Sequence, residues 1–220
     1  MDYSMTLKKS PLFRGVEPEE IRSMLSCLNA KEGTYKKGEF IFRNGDRLNT
    51  MGLVLSGSVH IIKEDFWGNR TIIGIASTGR LFGETYACVQ SEPLEVGVVA
   101  AETAEILFLD ARRMITVCTS ACEFHTRLIQ NLLSVLAEKN LMLTKKMEHM
   151  ARKTTREKLL SYLSEQSLKQ GSPVFEIPFN RQQLAEYLAV DRSAMSSELG
   201  KLRDEGIITF NKNKFHLLED

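Results

Sequence analysis

The stretch NRQQLAEYLAVDRSAMSSELGKLRDE, residues 180–205, carries the side chains whose types and spacing fit a defined chemistry. Asn180, followed three residues later by Gln183, has the form of a capping box that opens a helix. Leu184, Ala185 and Leu188 give that helix one apolar face. Ala189-Val190-Asp191 interrupts it as a turn, and Asp191 is suited to cap a second helix. There Met195, Leu199 and Leu202 recur at helical spacing and point inward. Arg192, Ser193, Ser196 and Ser197 are left on the outer face, with Lys201 a turn further on. A guanidinium donates two hydrogen bonds to O6 and N7 of guanine, and a polar face with little bulk suits a helix entering a DNA major groove.

Two short helices alone do not distinguish this from any small helical hairpin. The following residues do. Gly206-Ile207-Ile208 ends the helix and begins a strand, and Thr209 to Leu218 reads as a hairpin with the tip Asn211-Lys212-Asn213-Lys214. A helix-turn-helix followed by such a hairpin is a winged helix, and Lys212 with the tip amides would meet phosphates.

Other chemistries find less support. No Gly-rich phosphate loop, Gly-x-Ser-x-Gly elbow or His-Glu-x-x-His stretch is present, so no enzyme is expected. Cys27, Cys88, Cys118 and Cys122 lack the spacing of a disulfide framework or zinc knuckle, although Cys118 and Cys122 stand four apart. His60, His125, His149 and His216 show no ligand spacing and read as surface or satisfied core residues. No cofactor and no metal are expected. MDYSMTLKKS lacks the apolar core of a secretion signal, and no stretch approaches the ~20 apolar residues of a membrane span, so the expected compartment is the cytoplasm.

The elements that position this surface follow from texture and charge. Residues 10–28 read as a short helical cap, with Pro18 in its first turn and Ile21, Met24, Leu25 and Leu28 on its apolar side. From Ala30 to Asp110, short β-branched runs separated by glycine turns indicate an all-β sandwich or barrel. Ser120-Ala121-Cys122-Glu123 is a capping box. It opens a helical pattern in which Ile129, Leu133, Leu136, Asn140, Leu143, Met147 and Met150 are spaced as a heptad seam. Asn140 falls at an a position, where one buried Asn fixes a two-stranded register. A second stripe runs through Phe124, Leu128, Leu132, Val135 and Met142. Two apolar faces need two packing surfaces: the chain's own barrel and the same helix of a second subunit. Burial of one amphipathic helix on one domain is the alternative. Residues 150–154 form a candidate hinge, followed by a helix through Leu159, Leu160 and Leu163.

Net charge is +1. Residues 1–110 hold 12 Lys and Arg against 15 Asp and Glu, residues 111–153 hold 8 against 3, and residues 154–220 hold 9 against 10. The reading domain is not basic overall, so phosphate affinity must come from local placement and from doubling the sites in a dimer.

The whole chain, over residues 10–218, resembles the Crp/Fnr family of bacterial transcription regulators. The resemblance rests on Lys37-Gly38-Glu39, Asn44-Gly45-Asp46, Leu55-Ser56-Gly57-Ser58-Val59 and Phe82-Gly83-Glu84 in the sensor, and on Arg181-Gln182-Gln183-Leu184-Ala185 and Asp191-Arg192-Ser193 in the reading head. It implies an α+β fold in three parts. Residues 1–120 are a cyclic-nucleotide-binding-like β-roll (a cupin-like double-stranded β-helix, or jelly roll), 121–150 a dimerisation helix, and 151–220 a winged helix-turn-helix domain. It implies a homodimer on palindromic double-stranded DNA, no membrane, and RNA polymerase as a candidate partner. Asn180, Arg181 and Gln182 match phosphate anchors, and Arg192 a base-reading arginine. Ser193 and Ser197 replace a glutamate and a second arginine of familiar members, so a different operator is expected. An effector would act by shifting a population between placements of the two reading heads.

The sensor departs further from the family. Cyclic-nucleotide-binding members carry an Arg-Ser phosphate clamp after the Gly-Glu pair. Here Gly83-Glu84 is present, but the matching place, Glu95-Val96, has no arginine, and no Lys or Arg lies between Glu84 and Ala101. Glu92 and Glu95 would repel a phosphate. Cyclic AMP or GMP is therefore not expected. The pocket, with Gly83, Glu84, Thr85, Tyr86, Cys88, Glu95, Val96 and the helix face at Phe124, Leu128 and Leu132, would take an unknown small neutral, cationic or apolar effector, or be filled by its own side chains. A cyclic-nucleotide-responsive regulator with an atypical clamp and a regulatory module without DNA binding are the alternatives.

Overall fold

A computed structural model describes residues 3–67, 70–116 and 123–218. Its order is α1 (Ser4–Lys9), a 3-10 turn at Pro11–Phe13, α2 (Pro18–Cys27), β1 (Lys31–Tyr35), β2 (Phe40–Phe42), β3 (Thr50–Ser56), β4 (Ser58–Glu64), β5 (Arg70–Ser77), β6 (Leu81–Phe82) and α3 (Glu84–Val89). Then follow β7 (Gly97–Ala100), β8 (Ala104–Asp110), α4 (Ala111–Ile115), α5 (Glu123–Met150), α6 (Thr155–Gln170), β9 (Val174–Glu176), α7 (Arg181–Leu188), α8 (Arg192–Asp204), β10 (Ile208–Asn211) and β11 (Lys214–Leu217).

Two four-stranded antiparallel sheets, ordered β1-β8-β3-β6 and β2-β7-β4-β5, form the expected β-roll. Phe42 of one sheet meets Phe108 and Phe82 of the other at ring-centroid distances of 5.8 and 5.7 Å. Gly57, at φ +76°, closes the β3–β4 turn; a Cβ there would sit 2.5 Å from the Thr103 carbonyl oxygen, so only glycine fits. Gly52 makes room for the Phe82 ring, which would stand 2.2 Å from an added Cβ. Pro18 opens α2 behind a capping box of Glu17 and Glu20.

The chain divides into two compact units, Met1–Ala137 and Glu138–Asp220. This division falls inside α5, between the expected boundaries at 120 and 150. Leu128, Leu132 and Val135 belong to the sensor core, while the far end of the helix is bound to α6. Residues 118–122, with Cys118, Cys122 and most of the expected capping box, lie outside the described residues.

In the second unit, α6 begins at a Thr154/Glu157 capping box. Between α6 and α7, β9 pairs with β11 to make a three-stranded wing, β10-β11-β9. Leu159, Leu163, Leu184, Leu188, Met195, Leu199, Leu202 and Phe215 form one separate core.

Candidate nucleic-acid interface

The capping box read at the start of α7 is present. The Asn180 side-chain oxygen accepts from the Gln183 amide, and the Gln183 side chain accepts from the Asn180 amide, both at 2.9 Å. Asn180 thus spends its oxygen on its own helix, and Gln182 donates to Glu186 at 2.8 Å. The helix ends at Ala189 in the left-handed region. Lys158 Nζ donates to the Leu188 carbonyl at 3.3 Å, which sets a cation on the negative end of α7 and fixes the turn.

Asp191 caps α8 by accepting from the Ala194 amide at 2.8 Å. Met195, Leu199 and Leu202 are buried, so Arg192, Ser193, Ser196 and Ser197 must face outward; all four are exposed. The Ser196 hydroxyl donates to the Arg192 carbonyl at 2.9 Å, which leaves its oxygen as an outward acceptor. The Arg192 guanidinium has no hydrogen bond or ion pair among the described residues. Lys201 is drawn toward Glu198 at 3.3 Å, and Glu198 also receives Arg156 at 3.3 Å. Arg156 further grips Glu205, so α8 is tied to α6 near its middle and at its end.

Arg181, expected to anchor a phosphate, also packs on the wing. Its guanidinium is half-buried over the rings of Phe210 and Phe215, at 4.7 and 5.1 Å, where burial lowers its pKa. It ties α7 to the wing before it meets any phosphate. A guanidinium stacked by its face still keeps N–H groups at its edge. Lys212 stands exposed at the wing tip with φ +54°. The neighbouring Asn213 braces the tip through its side-chain donor to Glu176, 2.6 Å away.

Leu128 and Leu132 retain 0% and 2% of their surface and lie in the sensor core, as expected of a pocket filled by its own side chains. Glu84 is buried, a Cβ on Gly83 would meet Leu48 at 3.1 Å, Tyr86 and Val96 are half-buried, and Thr85 and Glu95 are exposed. Among the described residues no group of three or more His, Cys, Asp or Glu could hold a metal ion, and no helix is long and apolar enough to cross a membrane.

Residues 32–121 match the cyclic nucleotide-binding domain family, and residues 157–219 match the Crp-like helix-turn-helix domain. The Cyclic AMP receptor protein of Thermus thermophilus is 27% identical over 203 residues, across 92% of this chain and 89% of that protein. The chain belongs to the Crp/Fnr family of transcription regulators. It is a Crp-like DNA-binding regulator, and it shares 26% identity and a TM-score of 0.50 with the structure of the Thermus thermophilus Catabolite Activator Protein, over 96% and 94% of the two chains. The regulator CLP of Xanthomonas campestris, at 22% identity and TM-score 0.59 over 91% and 98%, shares the fold.

On α5, the second face read from the sequence is exposed along the chain's own surface. Leu133, Leu143 and Met147 are 61%, 60% and 70% exposed, Asn140 is exposed, and Ile129 and Leu136 are half-buried. Met142, read into the inner stripe, faces outward as well, because that stripe leaves the sensor core after Val135.

One cluster was not legible in the sequence. His149, near the end of α5, is buried with Nε2 2.8 Å from Glu165 Oε2 and Nδ1 2.9 Å from Ser161 Oγ. The carboxylate is an acceptor, so Nε2 donates to it, and in the neutral ring Nδ1 accepts from the Ser161 hydroxyl. Lys145 binds the other Glu165 oxygen at 2.7 Å. Burial raises the Glu165 pKa, but the bonds from Lys145 and His149 outweigh it and hold the carboxyl below its usual range. The candidate hinge at 150–154 is thus spanned by bonds from α5 to α6. The spacing 145, 149 on one helix and 161, 165 on the next is the signal that would have revealed it.

Proposed function

We propose that the protein is a homodimer that reads a palindromic DNA site through Arg192 on each α8, and that its sensor answers to something other than a cyclic nucleotide. The observation that carries the reading is the outer face of α8: an unpaired guanidinium and short hydroxyls, exposed together, on a helix whose opposite side is anchored by Met195, Leu199 and Leu202. Arg192 donates to guanine, with Ser193, Ser196 and Ser197 in supporting contacts. Lys212, Lys201 and the edge of Arg181 meet phosphates. The exposed apolar face from Leu133 to Met147 supports pairing with a second copy, with Asn140 fixing the register. RNA polymerase is the proposed partner at promoters.

Selection of bound genomic fragments tests this. The expected product is a palindrome whose half-sites are about 10 base pairs apart, with one base preference per half-site lost in Arg192→Ala. Leu143→Glu should convert the dimer to single subunits and abolish operator binding.

A second reading, a cyclic-nucleotide response through an atypical clamp, is favoured by the likeness to a cyclic AMP receptor protein. Arg47 would have to supply the clamp, since its guanidinium donates to the Ser91 carbonyl at 2.9 Å, beside the segment that lacks a cation of its own. A thermal shift with micromolar cyclic AMP that disappears in Arg47→Ala would establish this reading; no shift is expected.

A further inference from the structure

A cavity of about 150 Å³ opens on the side of the sensor away from the sandwich interior. Its position follows from register. Phe108 turns its ring to Phe42 of the opposing sheet, so the adjacent Leu107 points the other way. Leu107 and Leu55 form the floor, and Leu7 of α1 with Ile21 and Leu25 of α2 form the walls. Tyr3 closes one end: its hydroxyl bonds to Glu105, which also accepts from Ser56 Oγ at 2.7 Å. The wall carried by α1 is therefore tied to the sheet. The volume is far above the ~10–15 Å³ that holds a water.

The two charged groups in the lining, Arg22 and Glu32, are of opposite sign, beside the hydroxyls of Tyr3 and Ser4. Arg22 on α2 is exposed and has no hydrogen bond or ion pair among the described residues. Glu32, also exposed, stands directly across from Leu107 in the β1–β8 register. A charge pair set apart at the mouth of an aliphatic cavity complements a molecule with an anion and a cation at one end and a hydrocarbon at the other. We infer that this cavity binds an aliphatic α-amino acid, with its carboxylate on Arg22, its ammonium on Glu32 and its side chain among Leu7, Ile21, Leu25, Leu55 and Leu107. The cavity takes no wall from residues 83–96 and does not depend on the DNA-reading proposal.

Calorimetric titration of the full-length chain with leucine, isovalerate and isoamylamine tests the assignment. Leucine should bind more tightly than either single-charge probe. Arg22→Ala, an exposed position that leaves the core intact, should weaken leucine and isovalerate at least tenfold and spare isoamylamine. Glu32→Gln should weaken leucine and isoamylamine and spare isovalerate. Leu25→Trp should weaken all three by filling the cavity, and circular dichroism confirms that each variant folds. Heat from none of the probes, tighter binding of isovalerate than of leucine, or leucine binding unchanged in both Arg22→Ala and Leu25→Trp overturns the inference.

Discussion

The sensor and the reading head treat their expected site residues in opposite ways. In the reading head, the residues assigned to DNA from spacing alone are exposed on one helix face, with polar pins behind them: Lys158 on the turn, Arg156 on α8 and His149 beside Tyr162 and Tyr187. In the sensor, the leucines assigned to a pocket are core, and Glu84 is buried with them. The difference teaches that an outward polar face is fixed by helical period, whereas apolar residues line pockets and cores alike.

The largest test of this contrast is Leu128→Ala. A sealed leucine should cost about 2–5 kcal/mol of stability on truncation, read by chemical denaturation. A cost under about 1 kcal/mol would restore Leu128 to a pocket wall. Arg192→Ala should lose about 1–3 kcal/mol of operator affinity by electrophoretic shift. Its stability should stay within about 0.5 kcal/mol of wild type, as befits an exposed residue.

Glu165→Gln should cost about 1–2 kcal/mol of stability by weakening the bonds to Lys145 and His149. The same cluster has a pH signature. The Glu165 pKa is lowered in the fold, so its contribution is complete above the ordinary carboxylate range and is lost as pH falls through the depressed value. Acid unfolding of wild type should therefore show a proton uptake below about pH 4.5 that Glu165→Gln lacks. The smallest effect belongs to Lys212→Ala, which should weaken all DNA sequences evenly and reduce the salt dependence by about one phosphate.

Much of the fold was legible. Glycine-punctuated runs gave most of the sensor strands, and the capping box at Asn180 marked its helix to the residue. β1, Lys31–Tyr35, lies in the sensor region without a β-branched run of its own: its sequence KEGTY is polar and mostly exposed, with no alternation to read. β6 has two residues and is held by its pairing with β3, which no local pattern reports. At the site, Arg192 was legible because periodicity sets its direction. The stacking of Arg181 was not, because Phe210 and Phe215 reach it only through the folded wing. The division of α5 escaped for a related reason: its apolar spacing continues past Ala137, while the core that covers it ends at Val135.

The central claim is that two copies present their Arg192 side chains together to one duplex. The most direct measurement is the native mass of the protein on a selected palindromic site. The account predicts two chains per duplex, and an Arg192→Ala protein that remains a dimer yet leaves the duplex largely free. A complex with one chain per duplex at the same affinity, or single subunits at micromolar concentration, would contradict it.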